Sequence, residues 1–199
     1  MSKLQQNSDR QTFCNRVRSN PLQSVQSLNK HRFIDKNPFV SYNICMEKDI
    51  LFMRKALKEA KKAQSIDEIP IGAVIVRHDK VIARGYNKRE KSNIATAHAE
   101  MIAIEKACKK LGNWRLSDCT LYVTLEPCPM CTGAVINARI PRVVFGAPDT
   151  KSGACGGFCD LSKSNILNHS FDITSGILET DCKNILDDFF KNLRKKDRP

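Results

Sequence analysis

The chain has 199 residues, and its 33 Lys and Arg against 21 Asp and Glu give a formal charge of +12. That length fits one compact domain with an appendage, or at most two small ones. With 41% hydrophobic and 27% charged residues, collagen-like, coiled-coil and low-complexity architectures are excluded. The longest apolar stretch, residues 69–76, includes Pro70 and is far short of the ~20 residues a membrane helix needs, so no membrane partner is expected.

The first residues contain no apolar run followed by a small-residue cleavage site, and nine cysteines show no spacing typical of a secreted disulfide framework. Both point to a reducing compartment, with the cytoplasm expected. Residues 1–45 hold 17 Ser, Asn and Gln, no Gly, and only Asp9 and Asp35 against seven Lys and Arg. Such a composition buries little apolar surface and predicts a disordered extension, with an organelle address left open. Residues 46–199 form the expected domain and carry a net +7 of their own, which suits an acidic partner such as nucleic acid.

Asp49 is placed to cap a helix whose apolar positions Ile50, Met53, Leu57 and Ala60 recur at three- and four-residue steps. Residues 72–76 and 81–86 are β-branched runs joined by Arg77, His78, Asp79 and Lys80, which predicts a hairpin. Helical spacing returns at Met101, Ile104, Cys108 and Leu111, and Gly112 supplies the stop. A strand at 120–124, a helix from Pro127 to Ala138 and a strand at 142–145 follow, then a loop rich in Gly, Ser and Thr over 146–157. From Asp181 a last helix carries Cys182, Ile185, Leu186, Phe189, Phe190 and Leu193 on one face and ends in a basic run. This alternation predicts a sheet covered by helices on both sides.

His98 and Glu100 open one predicted helix, and Pro127, Cys128 and Cys131 open the next. One imidazole and two thiolates are the nitrogen and sulfur donors of a tetrahedral zinc ion, and three protein ligands leave a fourth position for water, as in catalytic rather than structural sites. A cysteine at a helix N-terminus is also acidified toward the metal-binding thiolate. Glu100, two residues from His98, has the chemistry of a general acid and base beside such a water, and the reaction class is hydrolytic deamination. A lone C-x-x-C or a lone His would mean little. Together, H-x-E and P-C-x-x-C form the signature of the zinc-dependent deaminases.

Residues 46–199 resemble the bacterial-type tRNA-specific adenosine deaminases. The resemblance rests on Pro70-Ile71-Gly72-Ala73-Val74, Tyr86-Asn87, Thr96 to Glu100, Leu121 to Cys128, and Val144 to Ala147 with Asp149 to Gly153. It implies a three-layer α/β/α fold around a central mixed sheet of about five strands, one Zn2+ per subunit, a homodimer, and conversion of a wobble adenosine to inosine in a tRNA anticodon loop. Position by position, it implies His98, Cys128 and Cys131 as zinc ligands and Glu100 as proton shuttle. Asn87, Ala99 and Pro127 match substrate-binding positions, and Asp149, Lys151 and Phe189 match positions beside the bound nucleic acid. On the residues alone, Asn87 and Asp149 also read as turn residues and Phe189 as core. Two other functions stay open at this point: deamination of a free cytosine- or guanine-type base or nucleotide, and a non-catalytic RNA-binding zinc subunit. Cys155 and Cys159 match no ligand position.

Overall fold

The computed structural model describes residues 38–163 and 167–196. Residues 1–37 of the expected extension lie outside the described residues. Alternation along the strands sets the layers. In β1 (Gly72–Arg77), Ala73 and Ile75 belong to one buried cluster, and Val74 and Val76 to another. Leu121 and Val123 against Tyr122 repeat this in β3 (Cys119–Leu125), as do Val143 and Phe145 against Val144 in β4 (Arg142–Ala147). Both faces of the central strands are therefore apolar and both need covering.

Helices α3 (Ala99–Leu111) and α4 (Pro129–Asn137) cover the first face through Ala99, Ala103, Ile104, Ala107, Val135 and Ile136. The second face takes Phe52, Met53 and Ala56 from α1 (Pro38–Gln64) and Cys182 from α5 (Glu179–Lys196). The sheet runs β2-β1-β3-β4-β5, with β2 at Lys80–Tyr86 and β5 at Asp172–Thr174. It is antiparallel across β2, β1 and β3 and parallel across β3, β4 and β5. The expected three-layer α/β/α architecture around a mixed sheet of five strands is what forms.

Local chemistry explains the joints. His78 and Asp79 have φ of 49° and 59°, the pair of left-handed residues that closes a two-residue hairpin in step with strand twist. Gly112 ends α3 at φ 61°, as expected of a glycine C-cap. At Gly85 of β2 a Cβ would fall on the backbone of Ala99 and Ala103, so glycine lets α3 lie directly on the sheet.

Three differences from expectation have physical causes. The first helix begins at Pro38, so Asp49 lies within it and not at its cap. Its carboxylate is 3% exposed and accepts from Arg142 Nη1 and Nη2 at 2.9 and 2.6 Å and from Tyr122 Oη at 2.8 Å, and these tertiary bonds keep an acid inside a helix. The apolar face of α5 is only partly covered: Cys182 is buried, while Phe190 and Leu193 are 39% and 42% exposed. Finally, α2 (Arg89–Ser92) and β5 are four and three residues long, too short to leave a periodic signal.

Candidate active site

His98 is the N-cap of α3 and Cys128 the N-cap of α4; neither side chain caps its own helix, which leaves both free to face a common point. Pro129 starts α4, where its missing N–H costs nothing. His98 Nδ1 lies 3.8 Å from Cys128 Sγ and 3.6 Å from Cys131 Sγ, and the three donor atoms all fall within 4.8 Å of one another. A nitrogen and two sulfurs converging from two helix N-termini form a donor set suited to a borderline-soft divalent cation.

Without a metal the three donors share protons unevenly, and Cys128 is the one held as a thiolate. A hydrogen bond from the Cys131 thiol, opposed by burial and reinforced by His98, pulls Cys128 down to about 4. The same bond, followed by burial, pushes Cys131 up, and His98 is raised mainly by its bond to Cys128. Glu100, on the first turn of α3, is 4% exposed. Burial raises its carboxyl above the ordinary range against the opposing pull of its own backbone N–H and of His98. A carboxyl held this way is ready to take and return a proton.

The other expected residues divide into two groups. Ala99 and Pro127 are buried beside the ligands, and the Pro127 carbonyl accepts from Ala154 N at 2.8 Å. Asn87 is 5% exposed at the end of β2, and Lys88 N donates to Ala97 O at 3.0 Å, which pins this segment beside His98. Asp149 behaves differently: its carboxylate accepts from Lys151 N at 2.9 Å, from Ser152 N at 3.1 Å and from Ser152 Oγ, so it shapes its own loop. Lys151 is exposed on that loop, and Phe189 is half-buried with its ring edge-on to Phe190 at 5.5 Å.

Of the buried acids that escaped the sequence reading, Glu126 and Glu68 bear on the expected site residues. Glu126 accepts from Asp149 N, Cys155 N and Gly157 N at 2.9, 2.9 and 2.8 Å and so ties the 149–157 loop to the start of α4. The signal was present in Gly153 and Gly157, where a Cβ would fall on this carboxylate. Glu68 is fully buried and accepts from Asn87 Nδ2 at 3.0 Å and from Lys91 N at 2.7 Å. Nothing around it in sequence marks it. Cys155 sits 3.6 Å from Thr132 Oγ1, apart from the trio, as a small buried residue.

The model of the MafB19-like deaminases matches residues 46–194. A tRNA-specific adenosine deaminase of Bacillus subtilis is 52% identical over 151 residues, 76% of this chain and 94% of that protein. The chain belongs to the tRNA-specific adenosine deaminases. It is also similar, at 44% identity and a TM-score of 0.64, to a structure solved in a study of A-to-I editing by tRNA:A34 deaminases at the wobble position. That match covers 68% of this chain and 98% of the other. The chloroplastic tRNA(adenine(34)) deaminase of Arabidopsis thaliana is 46% identical over 72% of this chain, which spans 12% of that longer protein. No helix among the described residues of this family member is long and apolar enough to cross a membrane.

Proposed function

We propose that the enzyme hydrolyses the wobble adenosine of a tRNA anticodon loop to inosine and ammonia, with His98, Cys128 and Cys131 holding one zinc ion. The observation that carries this reading is the buried, upshifted Glu100 beside three converging metal donors. The likeness to adenosine deaminases acting on tRNA gives the substrate class. A zinc ion on this donor set supplies Lewis-acid activation of water near neutral pH.

Glu100 does the proton work. It takes a proton from the attacking water and gives it to N1 of adenine as oxygen adds to C6, then carries the remaining hydroxyl proton to the exocyclic amine, which leaves as ammonia while the C6 carbonyl forms. The base reaches the pocket by leaving its stack in a single-stranded loop, where unpaired bases are accessible. Asn87, Ala99 and Pro127 bind it, and the Asn87 amide offers a donor and an acceptor to the purine edge. Lys151 contacts the RNA backbone, so Lys151→Ala weakens binding across sequences and lowers the salt slope by about one. The chain works as a homodimer in the cytoplasm. The nine cysteines show no spacing of a secreted disulfide framework, which supports a reducing compartment. Sedimentation of the purified chain tests the dimer.

The deciding experiment incubates zinc-loaded protein, and a Glu100→Ala variant, with an anticodon stem-loop carrying adenosine at the wobble position, followed by sequencing for inosine. Inosine from the native chain alone is expected. Ammonia from free cytosine or guanine with no inosine in the stem-loop would overturn the assignment.

A further inference from the structure

Glu68 sits on the chain leaving α1, and its backbone N–H donates to Ala63 O at 3.0 Å. Its carboxylate is withdrawn from water and reaches two separate segments. Oε2 accepts from the Asn87 amide at the end of β2, and Oε1 accepts from the Lys91 backbone in α2. Among the described residues, none of the ion pairs involves Glu68, so neutral N–H groups alone compensate its desolvation. The two N–H groups fix the carboxylate between the end of β2 and α2.

The consequence is visible at Asn87. An amide can present either end, and the two orientations exchange a donor for an acceptor at every contact. A carboxylate oxygen accepts and does not donate, so only the nitrogen end of Asn87 can face Glu68; the flipped amide would set oxygen against oxygen. Asn87 is also held by its backbone, with its N–H donating to Ile71 O at 3.0 Å. The backbone fixes where the side chain starts, and Glu68 fixes which way round it ends. One Nδ2 hydrogen is committed to Glu68, leaving Oδ1 and the second Nδ2 hydrogen for substrate.

We infer that Glu68 is a positioning residue for base recognition, orienting the Asn87 amide so that one donor and one acceptor meet the purine. The inference rests on the reading of Asn87 as a base-binding residue. Preorganisation of this kind lowers the cost of binding, because the amide is already in its bound orientation when the base arrives.

A double-mutant cycle tests it. Asn87 and Lys91 donate to different oxygens of Glu68, so Glu68→Gln sets an NH2 against one of the two donors. In the stem-loop assay kcat/KM is expected to fall about tenfold or more in the native background and to change little in the Asn87→Ala background, since a residue acting through Asn87 has nothing left to act on. Equal losses in both backgrounds, or no loss in the first, would overturn the proposal. A readout without substrate accompanies it. The Asn87 side-chain amide protons, assigned by their disappearance in Asn87→Ala, are expected as two separated resonances in the native chain that converge in Glu68→Gln. If they do not move, Glu68 does not hold the amide, whatever the enzyme acts on. An inactive native chain with that NMR response would refute the substrate assignment and leave the orientation of Asn87 standing. Should Glu68→Gln not fold, the exchanged pair Glu68→Gln with Asn87→Asp returns one donor and one acceptor to the contact. It is expected to fold and to lack activity, and an active exchanged pair, or one that also fails to fold, would count against the proposal.

Discussion

Asp49 on the α1 face of the sheet and Glu100 on the α3 face are carboxyl groups almost equally withdrawn from water, 3% and 4% exposed. Asp49 meets a guanidinium through both oxygens and a phenol through one, with Arg142 reaching on to Thr174 Oγ1 at 2.9 Å. These bonds tie α1, β3, β4 and β5 together. Among the described residues Glu100 forms no ion pair with Lys or Arg; it lies among metal donors, with burial raising its pKa. Burial therefore does not distinguish scaffold from chemistry in this molecule. The partner does: an acid locked to a cation holds structure, and an acid left to burial can exchange a proton.

The strongest way to break this contrast is to neutralise each acid in turn. Glu100→Gln is expected to lower kcat about 10³-fold, within the range for losing a general acid and base. Its melting temperature should hold or rise, because a site built for chemistry opposes stability. Asp49→Ala should do the reverse. Leaving Arg142 without its partner costs about 3 kcal/mol, the low end for a buried pair because the arginine side chain is 23% exposed. Thermal unfolding and turnover per folded molecule read both variants. An Asp49→Ala chain that melts normally but turns over slowly would show that both faces serve catalysis.

Glu126 sharpens the contrast, since it stands at the site and yet acts as scaffold. Its three bonds are all to backbone N–H groups of the 149–157 loop. Glu126→Ala is expected to destabilise by about 2 kcal/mol, as donors lose a buried acceptor and water replaces part of it. Hydrogen exchange should rise first at Asp149, Cys155 and Gly157. Protection unchanged at those three amides would mean that the glycine-lined packing of the loop, and not this carboxylate, holds it.

The legibility of these features in the sequence follows the range of the forces behind them. The convergence of His98, Cys128 and Cys131 was readable because donors at helix N-termini keep short, fixed spacings, and Glu100 stands out two residues from His98. The layers were readable because period-two and helical burial are local patterns. The cap proposed at Asp49 failed because Arg142, 93 residues away, outweighs local capping preference. Glu68 was invisible for the same reason: it lies on the chain after α1 and its partner Asn87 follows β2, 19 residues away. The start of α1 at Pro38 is hidden because the polar average over residues 1–45 masks the apolar residues Phe39, Val40, Tyr42 and Ile44 at its end.

Asp149 gives the smallest effect and the finest test of the same rule, because its partners are neutral. Burial tends to raise its carboxyl. The bonds from Ser152 Oγ and from the backbone N–H groups of Lys151 and Ser152 outweigh that tendency and hold it below the ordinary range. A lowered folded pKa stabilises above the unfolded value of about 3.9, and the contribution disappears as pH falls through the folded value. Asp149→Asn keeps an oxygen for the same N–H donors and loses only the charge-assisted part of each bond. The variant should therefore melt slightly below the native chain at pH 7, and the two melting curves should converge as the solution is acidified. A gap that persists in acid would mean that the loop depends on the shape of the side chain and not on its charge, and would put Asp149 with the packing of Gly153 and Gly157.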